Sequence, residues 1–522
     1  MDTATTDSFR DADAILNTQL CDVLCGGKDE LAPYNRLPEE ILVEIFMIHT
    51  ALTRRLRGPQ SYEWIRVTHI CAWWRQAALR CPTLWARNIV IKPNVEECIK
   101  EFLIRSRDIP LHVHAEFSGT YEEDIYDDED SEVDPARIIC SFNLVLEQLH
   151  RISHLIFNQP PGISRRLFKF KDVAAPMLRT LKLRDWEGDF YIPLFQAGGL
   201  PVLELLCLAD LHYFGVKPLF APTITCLILF RCMFPSETKL LTVLAAMPMM
   251  EEAVLQPRYD ILGDGFVVCR WPHLKSLHLF CNPECVHCVE NTLDHLIFPP
   301  TARLTIHLAS DLEPPVALPD SPLIRSIQAK IAAITERNGP FKRVCIDNKD
   351  RTWGLHMLEM RCWTHQAESE ASFRVLCQGG YITGVENIRS ICNSLSFNAV
   401  EDLTVAPTEL IGQSIESELW LEIFSVWTGV KELTIHASFS KHLISTLLYR
   451  RPSPDKITYD VRFPALRKLT INTATAVHHP HQQYYLFTNR LTDILGFMRA
   501  VDKILHRRTE WGLERTTLVP IN

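Results

Sequence analysis

The chain has 522 residues and a formal net charge of −9 at pH 7. Nine of its 63 acidic residues lie in one run, YEEDIYDDEDSEVD at 121–134, so the rest of the chain carries 54 acidic residues against 54 basic ones. This charge balance outside the run argues against a nucleic-acid-binding protein and against a polybasic membrane-surface protein, because both need a basic face.

The composition, 47% hydrophobic and 22% charged, is that of a globular protein. The first residues, MDTATTDSFRDADAIL, lack the apolar core of a secretory signal, and no run approaches the roughly 18 apolar residues of a membrane span. Seventeen scattered cysteines then indicate reduced thiols and predict a location in the cytoplasm, the nucleus or both. The motifs GxxxxGK(S/T), GxGxxG, GxSxG and HExxH do not occur, so we expect no catalytic site and no cofactor.

Residues 36–49, RLPEEILVEIFMIH, have the pattern of an amphipathic helix. Pro38 suits the first helical position, because its missing N–H would have no partner there. Glu39 and Glu40 follow in the first turn, where the helix dipole favours negative charge. The apolar stripe of this helix consists of Ile41, Leu42, Ile45 and Phe46. A short amphipathic helix is also predicted over residues 11–24.

The segment Trp64–Leu79 repeats the helical pattern, and Pro82 ends it. Its apolar stripe consists of Val67, Cys71, Trp74 and Ala78. About fifty residues of short helix cannot bury two such stripes among themselves. The stripes must therefore face either the rest of the chain or another protein.

Four short motifs follow one another here: LPEEIL at 37–42, EIF at 44–46, ICxxWRxxA at 70–78 and PxLW at 82–85. Together they resemble an F-box, in the form common among fungal F-box proteins. The resemblance departs from the family in Ile70, where valine is usual, and in a long inter-helix loop at 50–63.

The resemblance implies that these helices dock on a Skp-type adaptor, which would join the chain to a cullin–RING ubiquitin ligase. In such a contact, apolar anchors on a helix supply most of the binding energy. Arg75 and Trp85 are equally compatible with a place inside the module. The adaptor-binding residues that the resemblance implies are Leu37, Pro38, Ile41, Leu42, Ile45, Phe46, Cys71, Trp74 and Ala78.

From residue 150 onward, a proline followed by apolar residues two, five and seven positions later recurs through the chain. The first five copies begin 25, 21, 26 and 24 residues apart, and copies without proline cover 151–157, 399–405 and 429–435. The period and the LxxLxL kernel resemble a leucine-rich repeat, which implies a short parallel strand in each unit. Further strands are expected near 88–91, 109–115, 303–308 and 341–346. The prolines that begin the copies are Pro176, Pro201, Pro222, Pro248, Pro272 and Pro464.

These patterns predict an α/β chain, in which a small all-α F-box module precedes an open leucine-rich-repeat-like solenoid. The solenoid would have short parallel strands with helices on its convex side. Residues 310–340 should form a proline-rich loop and then a helix. The expected domains are residues 1–34 as N-terminal helix and linker, 35–87 as F-box, 88–483 as solenoid and 484–522 as capping helix and tail.

The acidic run at 121–134 should be a solvated loop inserted in the array, although it could also attract a basic segment of a target. The residues expected on the outward face of the strands, as candidates for target binding, are Arg179, Lys182, Arg184, Glu204, Lys275, His278, Glu401, Lys431, Glu432 and Lys468.

Cys281, Cys285 and Cys288, with His278 and His287 nearby, have the residue types of a zinc site. A second cysteine pair is missing, which favours buried free thiols. The loop histidines 478, 479 and 481 similarly favour a solvated loop over a metal site. We therefore expect no metal.

The sequence as a whole predicts a non-catalytic substrate-receptor subunit of an SCF-type (Skp–cullin–F-box) ubiquitin ligase. Its partners would be a Skp-type adaptor and an unidentified target protein, with neither nucleic acid nor membrane. The alternative is a leucine-rich-repeat interaction scaffold that has no role in a ligase.

Overall fold

A computed structural model describes the larger part of the chain. The predicted helix at 11–24, the acidic run at 121–134 and the histidines at 478, 479 and 481 lie outside the described residues. Most of the expected closing helix does so too. The described residues are 37–53, 58–92, 95–116, 135–159, 174–188, 200–263, 267–308, 321–350, 356–365, 368–378, 381–406, 417–436, 448–451, 458–461, 463–472, 499, 501–503, 505–506, 508–509 and 515–521.

The chain forms two compact units, the first comprising residues 1–181 and 193–200, and the second comprising residues 182–192 and 201–522. The elements of the first unit are α1 (Glu39–Thr53), a 3-10 helix (Gly58–His69), α2 (Ala72–Arg80), α3 (Pro82–Ala86), β1 (Ile89–Val90), α4 (Glu96–Arg105), β2 (Leu111–Glu116), α5 (Pro135–Leu146), a 3-10 turn (Leu149–Arg151) and β3 (Ile152–Gln159). Strand β4 (Thr180–Gly188) begins in the first unit and ends in the second.

In the first unit, β2 lies between β1 and β3 and pairs with both in parallel. The same unit contains the segment that resembles an F-box. Its helices and its first three strands therefore belong to one compact body.

The second unit is a mixed α/β structure built on a large, mostly parallel sheet. Its first elements are β5 (Leu205–Leu211), α6 (Tyr213–Val216), a 3-10 turn (Lys217–Leu219), β6 (Cys226–Phe230), β7 (Met233–Phe234), α7 (Glu237–Ala245), β8 (Glu252–Leu255), β9 (Arg258–Tyr259), β10 (Cys269–Arg270), β11 (Ser276–Cys281), a 3-10 turn (Pro283–Cys285), α8 (Val286–His295), β12 (Leu296–Ile297) and β13 (Arg303–Leu308). It continues with α9 (Pro322–Asn338), β14 (Arg343–Asp350), β15 (His356–Trp363), β16 (Phe373–Gln378), α10 (Tyr381–Ser394), β17 (Asp402–Ala406), α11 (Ser417–Ser425), β18 (Glu432–His436), β19 (Leu448–Arg451), β20 (Thr458–Val461), β21 (Lys468–Asn472) and β22 (Thr517–Ile521).

The strand order of the main sheet within this unit is β5-β6-β8-β11-β13-β16-β15-β14-β17-β18-β21-β22. An open α/β sheet with mostly parallel strands is thus confirmed. Strands lie at every copy of the repeated kernel, and helix α9 follows the proline-rich segment as predicted.

The prediction of parallel strands was wrong for one strand, β15. Strand β15 pairs antiparallel with both β14 and β16, so the chain runs through these three strands in reverse spatial order. The cause is the length of the connections, because residues 351–355 and 364–372 are too few for the crossover of a dozen or more residues that parallel neighbours need. We call β14, β15 and β16 the antiparallel insert.

The recurring proline has a structural role in a turn that precedes the strand. In four copies the residue before the proline accepts a hydrogen bond from the N–H three positions on. The proline therefore occupies the second position of a β-turn, where its fixed φ is favoured. These hydrogen bonds join Leu178 N to Ala175 O, Ile224 N to Ala221 O, Leu274 N to Trp271 O and Leu466 N to Phe463 O, at 3.1–3.2 Å.

A repeating backbone bond joins the N-terminal ends of neighbouring strands. Lys275 N donates to Glu251 O at 2.7 Å, and Lys431 N donates to Glu401 O at 2.8 Å. Arg467 N donates to Lys431 O at 2.8 Å, which continues the series into the next repeat. Inward-facing leucine, isoleucine and valine side chains of these strands are fully buried and form the core.

The end of the chain adds a strand to the sheet, because β22 pairs in parallel with β21. Among the described residues between 499 and 509, Val501 and Leu505 are buried. Arg508 is fully buried and donates from Nη2 to Phe463 O at 2.5 Å. None of the helices in the described parts of the chain is long and apolar enough to span a membrane.

We predict that Gly429→Ala destabilises the second unit by about 1–3 kcal/mol. A Cβ at this position would overlap the carbonyl oxygen of Asn398 in the preceding repeat and press on Val400 O. Urea unfolding monitored by tryptophan fluorescence measures the change. The exposed neighbour Thr428 supplies the control, because Thr428→Ala should change stability by less than about 0.5 kcal/mol. Equal stability of the two variants would mean that the repeat turns do not approach as closely as described.

Candidate functional site

Helix α1 begins where the sequence predicted. The carbonyl of Pro38 accepts from Ile41 N at 3.1 Å and from Leu42 N at 3.2 Å, and the first turn carries Glu39 and Glu40. The helix extends to Thr53, one turn beyond the predicted end, and the Thr53 hydroxyl donates to the backbone inside that last turn.

One face of α1 packs into the first unit. Leu42 and Phe46 are fully buried, and Thr50 and Thr53 continue the same face at helical spacing. The Phe46 ring lies 5.4 Å from the ring of Trp74 in α2, centroid to centroid. This inner face fixes the helix to the rest of its unit.

A second face of α1 carries an apolar stripe that the chain leaves exposed. Ile41 and Ile45 are 43% and 37% exposed, and Ile48 and Leu52 are 56% and 58% exposed. Their spacing of four, three and four residues places all four on one side of the helix. We call these four residues the exposed ridge.

Cysteine and arginine fix the start of α2. Cys71 is the N-cap residue, and its Sγ accepts from Trp74 N at 3.4 Å. Arg75 Nε donates to Thr68 O at 2.8 Å, which ties the helix to the preceding 3-10 segment. Trp85 is buried, and its Nε1 donates to Ala78 O at 2.8 Å. Arg75 and Trp85 thus make their contacts inside the module.

The nine residues expected to bind an adaptor separate into three groups. Pro38, Ile41 and Ile45 are exposed. Leu37, Cys71 and Trp74 are half-buried, and the Leu37 carbonyl accepts from Trp73 Nε1 at 3.4 Å. The three side chains that are fully buried inside the chain are Leu42, Phe46 and Ala78.

Sequence reasoning missed Ile48 and Leu52. The stripe was ended at Phe46, although the same spacing continues through Ile48 and Leu52 in the printed sequence. Extending the periodicity by one turn would have found both residues.

Several candidate residues on the strands are paired, either with one another or with other residues of the sheet. Glu401 accepts from Lys342 at 3.2 Å and from Lys431 at 3.0 Å, and these hydrogen bonds lower the pKa of the Glu401 carboxyl. Lys275 pairs with Glu251, and Lys468 pairs with Glu432. Such exposed pairs contribute little to stability. They form a row of alternating charge along the N-terminal ends of the strands.

His278 and Arg184 also have partners on neighbouring strands. Nδ1 of His278 lies 3.5 Å from Nε2 of His307, and Arg184 Nε donates to Asp210 at 3.1 Å. Sequence reasoning missed the charged residues of the antiparallel insert altogether, because β15 and β16 lack the repeated kernel.

Cys281, Cys285 and Cys288 are free, buried thiols. Burial raises the pKa of all three thiols. The backbone N–H of Asn282 donates to Cys285 Sγ at 3.2 Å, and Cys288 Sγ lies 3.5 Å from Nε2 of His287. Within the described residues, no group of three or more histidine, cysteine, aspartate or glutamate side chains is arranged to hold a metal.

A search against models of known protein families finds no match to this sequence, and a search of curated proteins finds no similar protein. The case for a function therefore depends on the residues and their geometry.

Replacing a side chain by alanine should affect stability very differently on the inner face of α1 and on the exposed ridge. Phe46→Ala removes a fully buried ring and should cost about 3–5 kcal/mol. Ile48→Ala removes a side chain that is more than half exposed and should cost less than about 0.5 kcal/mol. Thermal or urea unfolding compares the two, and similar losses would contradict the assignment of the faces.

Thiol labelling of the native protein should distinguish buried from exposed cysteines. The thiolate is the reactive form, so burial and a raised pKa both slow the reaction of Cys281, Cys285 and Cys288. Exposed Cys98 and Cys140 should react with iodoacetamide first. Mass spectrometry of tryptic peptides over time measures the order, and early labelling of Cys281 would show that this region is open.

Proposed function

We propose that this chain is a substrate-receptor subunit of an SCF-type ubiquitin ligase. Helix α1 and its neighbours dock on a Skp-type adaptor, and the strands of the second unit recruit a target protein for ubiquitination. The chain itself is a non-catalytic subunit without a cofactor, and it acts in the cytoplasm, the nucleus or both. The transfer chemistry belongs to the other subunits of the ligase.

The observation that supports the proposal best is that α1 is apolar on two faces, of which the chain buries only one. A helix that is apolar on two faces is normally covered on both. The inner face packs on Trp74, whereas the exposed ridge has Ile48 and Leu52 more than half open to solvent. Full burial of one such side chain is worth about 1.5–3 kcal/mol, so a partner that covers the ridge gains substantial binding energy.

The nine residues expected from the F-box resemblance then have different roles. Ile41 and Ile45 belong to the ridge that meets the adaptor, with Ile48 and Leu52 extending it. Pro38 lies exposed at the start of the same helix. Leu37, Cys71 and Trp74 border the contact, and Leu42, Phe46 and Ala78 support α1 from inside. The mode of binding is a helix in a groove, with spaced apolar anchors.

A charge on the exposed ridge should weaken adaptor binding. We expect Ile45→Asp and Ile48→Asp each to weaken binding of the full chain to a purified Skp-type adaptor by about 2 kcal/mol or more, roughly 30-fold in Kd. Surface plasmon resonance or a quantitative pull-down measures the loss. Each variant should keep the circular dichroism spectrum of the parent chain.

Ile104→Asp is the matched control, because Ile104 is an isoleucine on α4 that is 69% exposed. This control should bind the adaptor as the parent chain does. Failure of the parent chain to bind any Skp-type adaptor would refute the ligase proposal and favour a scaffold without a ligase role. Equal loss in the ridge variants and in the control would refute the role of the ridge.

A further inference from the structure

The antiparallel insert places two arginines directly opposite each other. Arg361 of β15 and Arg374 of β16 are register partners, and their side chains lie on the outward face of the sheet. Like charges in directly opposite positions destabilise a sheet. Their juxtaposition therefore requires compensation nearby or a use for the positive charge.

Part of the compensation comes from one buried carboxylate. Glu359 is 4% exposed, pairs with Nε of Arg374 and lies 3.9 Å from Nε of Arg361. Asp347 lies 3.6 Å from Nη2 of Arg361, and Cys345 Sγ accepts from the same nitrogen at 3.4 Å. Arg361 is thus held from two sides.

Arg374 is held only through Nε. Its two terminal nitrogens have no hydrogen-bond partner among the described residues, and its side chain is 28% exposed. A guanidinium whose two terminal nitrogens are available can bind a carboxylate or a phosphate through two parallel hydrogen bonds, which we call its fork. Glu359 orients that fork without occupying it.

An aromatic patch lies beside Arg374 on the same face. The rings of Phe280 and His307 stack with centroids 4.0 Å apart, and Phe230 lies 5.8 Å from Phe280. His278 joins the patch through His307. All four side chains are half-buried. Burial lowers the pKa of His278, and so do the charges of Arg374 and Arg303, whereas Glu252 raises it.

The register gives the distance between the patch and the arginine. His307 is the partner of Leu376, two residues beyond Arg374 on β16, and Phe280 is the partner of His307 on β11. With about 4.8 Å between strands and about 3.3 Å per residue, His307 and Phe280 lie about 8 and 12 Å from Arg374, or about three residues of an extended chain.

We infer that the target of this chain presents an extended segment in which an aromatic or long aliphatic side chain lies about three residues from an acidic group. The apolar side chain packs on Phe230, Phe280 and His307, and the acidic group binds the terminal nitrogens of Arg374. The inference rests on the proposed receptor function and gives the chemical class of its target. Aromatic and arginine anchors of this kind dominate protein interfaces.

Selection from a display library of random 12-residue peptides on the immobilised full chain tests the inference. We expect enrichment of peptides with an aromatic or long aliphatic residue two to four positions from Asp or Glu. Selected peptides that show no excess of acidic residues, or a selection that enriches no peptide at all, would overturn the inference. The best selected peptide is then resynthesised with its acidic residue replaced by glutamine and by phosphoserine.

Two variants and a control locate the site. Arg374→Lys keeps a positive charge beside Glu359 but lacks the fork, and Phe280→Ala removes half of the stacked pair. Each should weaken the selected peptide about tenfold or more in fluorescence anisotropy. Arg389→Lys is the matched control, because Arg389 of α10 is also half-buried and pairs with Glu422 at 3.2 Å. Unchanged affinity in both site variants would overturn the inference.

The remaining arms separate the possible outcomes. If the peptide with glutamine no longer binds, the acidic group is required. Unchanged binding of that peptide would overturn the role of the acidic group. Tighter binding of the phosphoserine peptide identifies a phosphate as the preferred acid, and weaker binding identifies a carboxylate, both within the inference.

Adaptor binding is measured on the same preparation. If the adaptor binds and no acidic peptide is selected, this inference fails and the receptor proposal stands. If acidic peptides bind and no adaptor does, the receptor proposal fails.

Discussion

Strands of the second unit are stabilised chiefly by the strands beside them, because one short strand with its turn buries almost nothing alone. The backbone bonds between the N-terminal ends of neighbouring strands, such as Lys431 N to Glu401 O, repeat this dependence along the sheet. The turns approach closely enough that Gly429 has no room for a Cβ next to Asn398. Because the strands are held in fixed register, side chains on the outward face come to lie at set distances from one another.

This fixed register makes the outward face usable as a binding surface. The row of ion pairs around Glu401 occupies the N-terminal ends of the strands, where exposed charges cancel one another. The antiparallel insert interrupts the row of parallel strands and brings Arg361 and Arg374 into direct opposition. Glu359 and Asp347 offset the repulsion, and the two terminal nitrogens of Arg374 have no hydrogen-bond partner among the described residues.

Helix α1 also has a feature that is unfavourable in the isolated chain, because it exposes large apolar side chains to water. Its inner face is fixed by Phe46 against Trp74, while Ile48 and Leu52 remain more than half exposed on the other side. A receptor subunit that is always held by an adaptor would tolerate such a helix. In an isolated chain the same ridge would favour association with other apolar surfaces.

The sequence was sufficient to predict the start of α1, the strands at the repeated kernels and α9. Each depends on local chemistry, such as Pro38 and two glutamates at a helix start, or a proline at the second position of a turn. It was not sufficient to distinguish Leu42 and Phe46 from Ile41 and Ile45. Neighbouring positions at i and i+1 fit one broad stripe, and only packing on Trp74 decides which of them is buried.

The antiparallel insert could not have been predicted from the repeat pattern. Residues 356–363, HMLEMRCW, lack the kernel and carry a glutamate and an arginine. Buried Glu359 is paired with Arg374, which lies fifteen residues further along the chain on the next strand. Long-range pairing of this kind leaves no local signal.

Hydrogen–deuterium exchange of the full chain with and without a purified Skp-type adaptor tests the central claim most directly, because it shows where a partner covers the chain. The account predicts slower exchange across α1, Glu39–Thr53, and unchanged exchange across α4, Glu96–Arg105, which also carries an exposed isoleucine. Adaptor binding that leaves the exchange of α1 unchanged, or no adaptor binding at all, would contradict it.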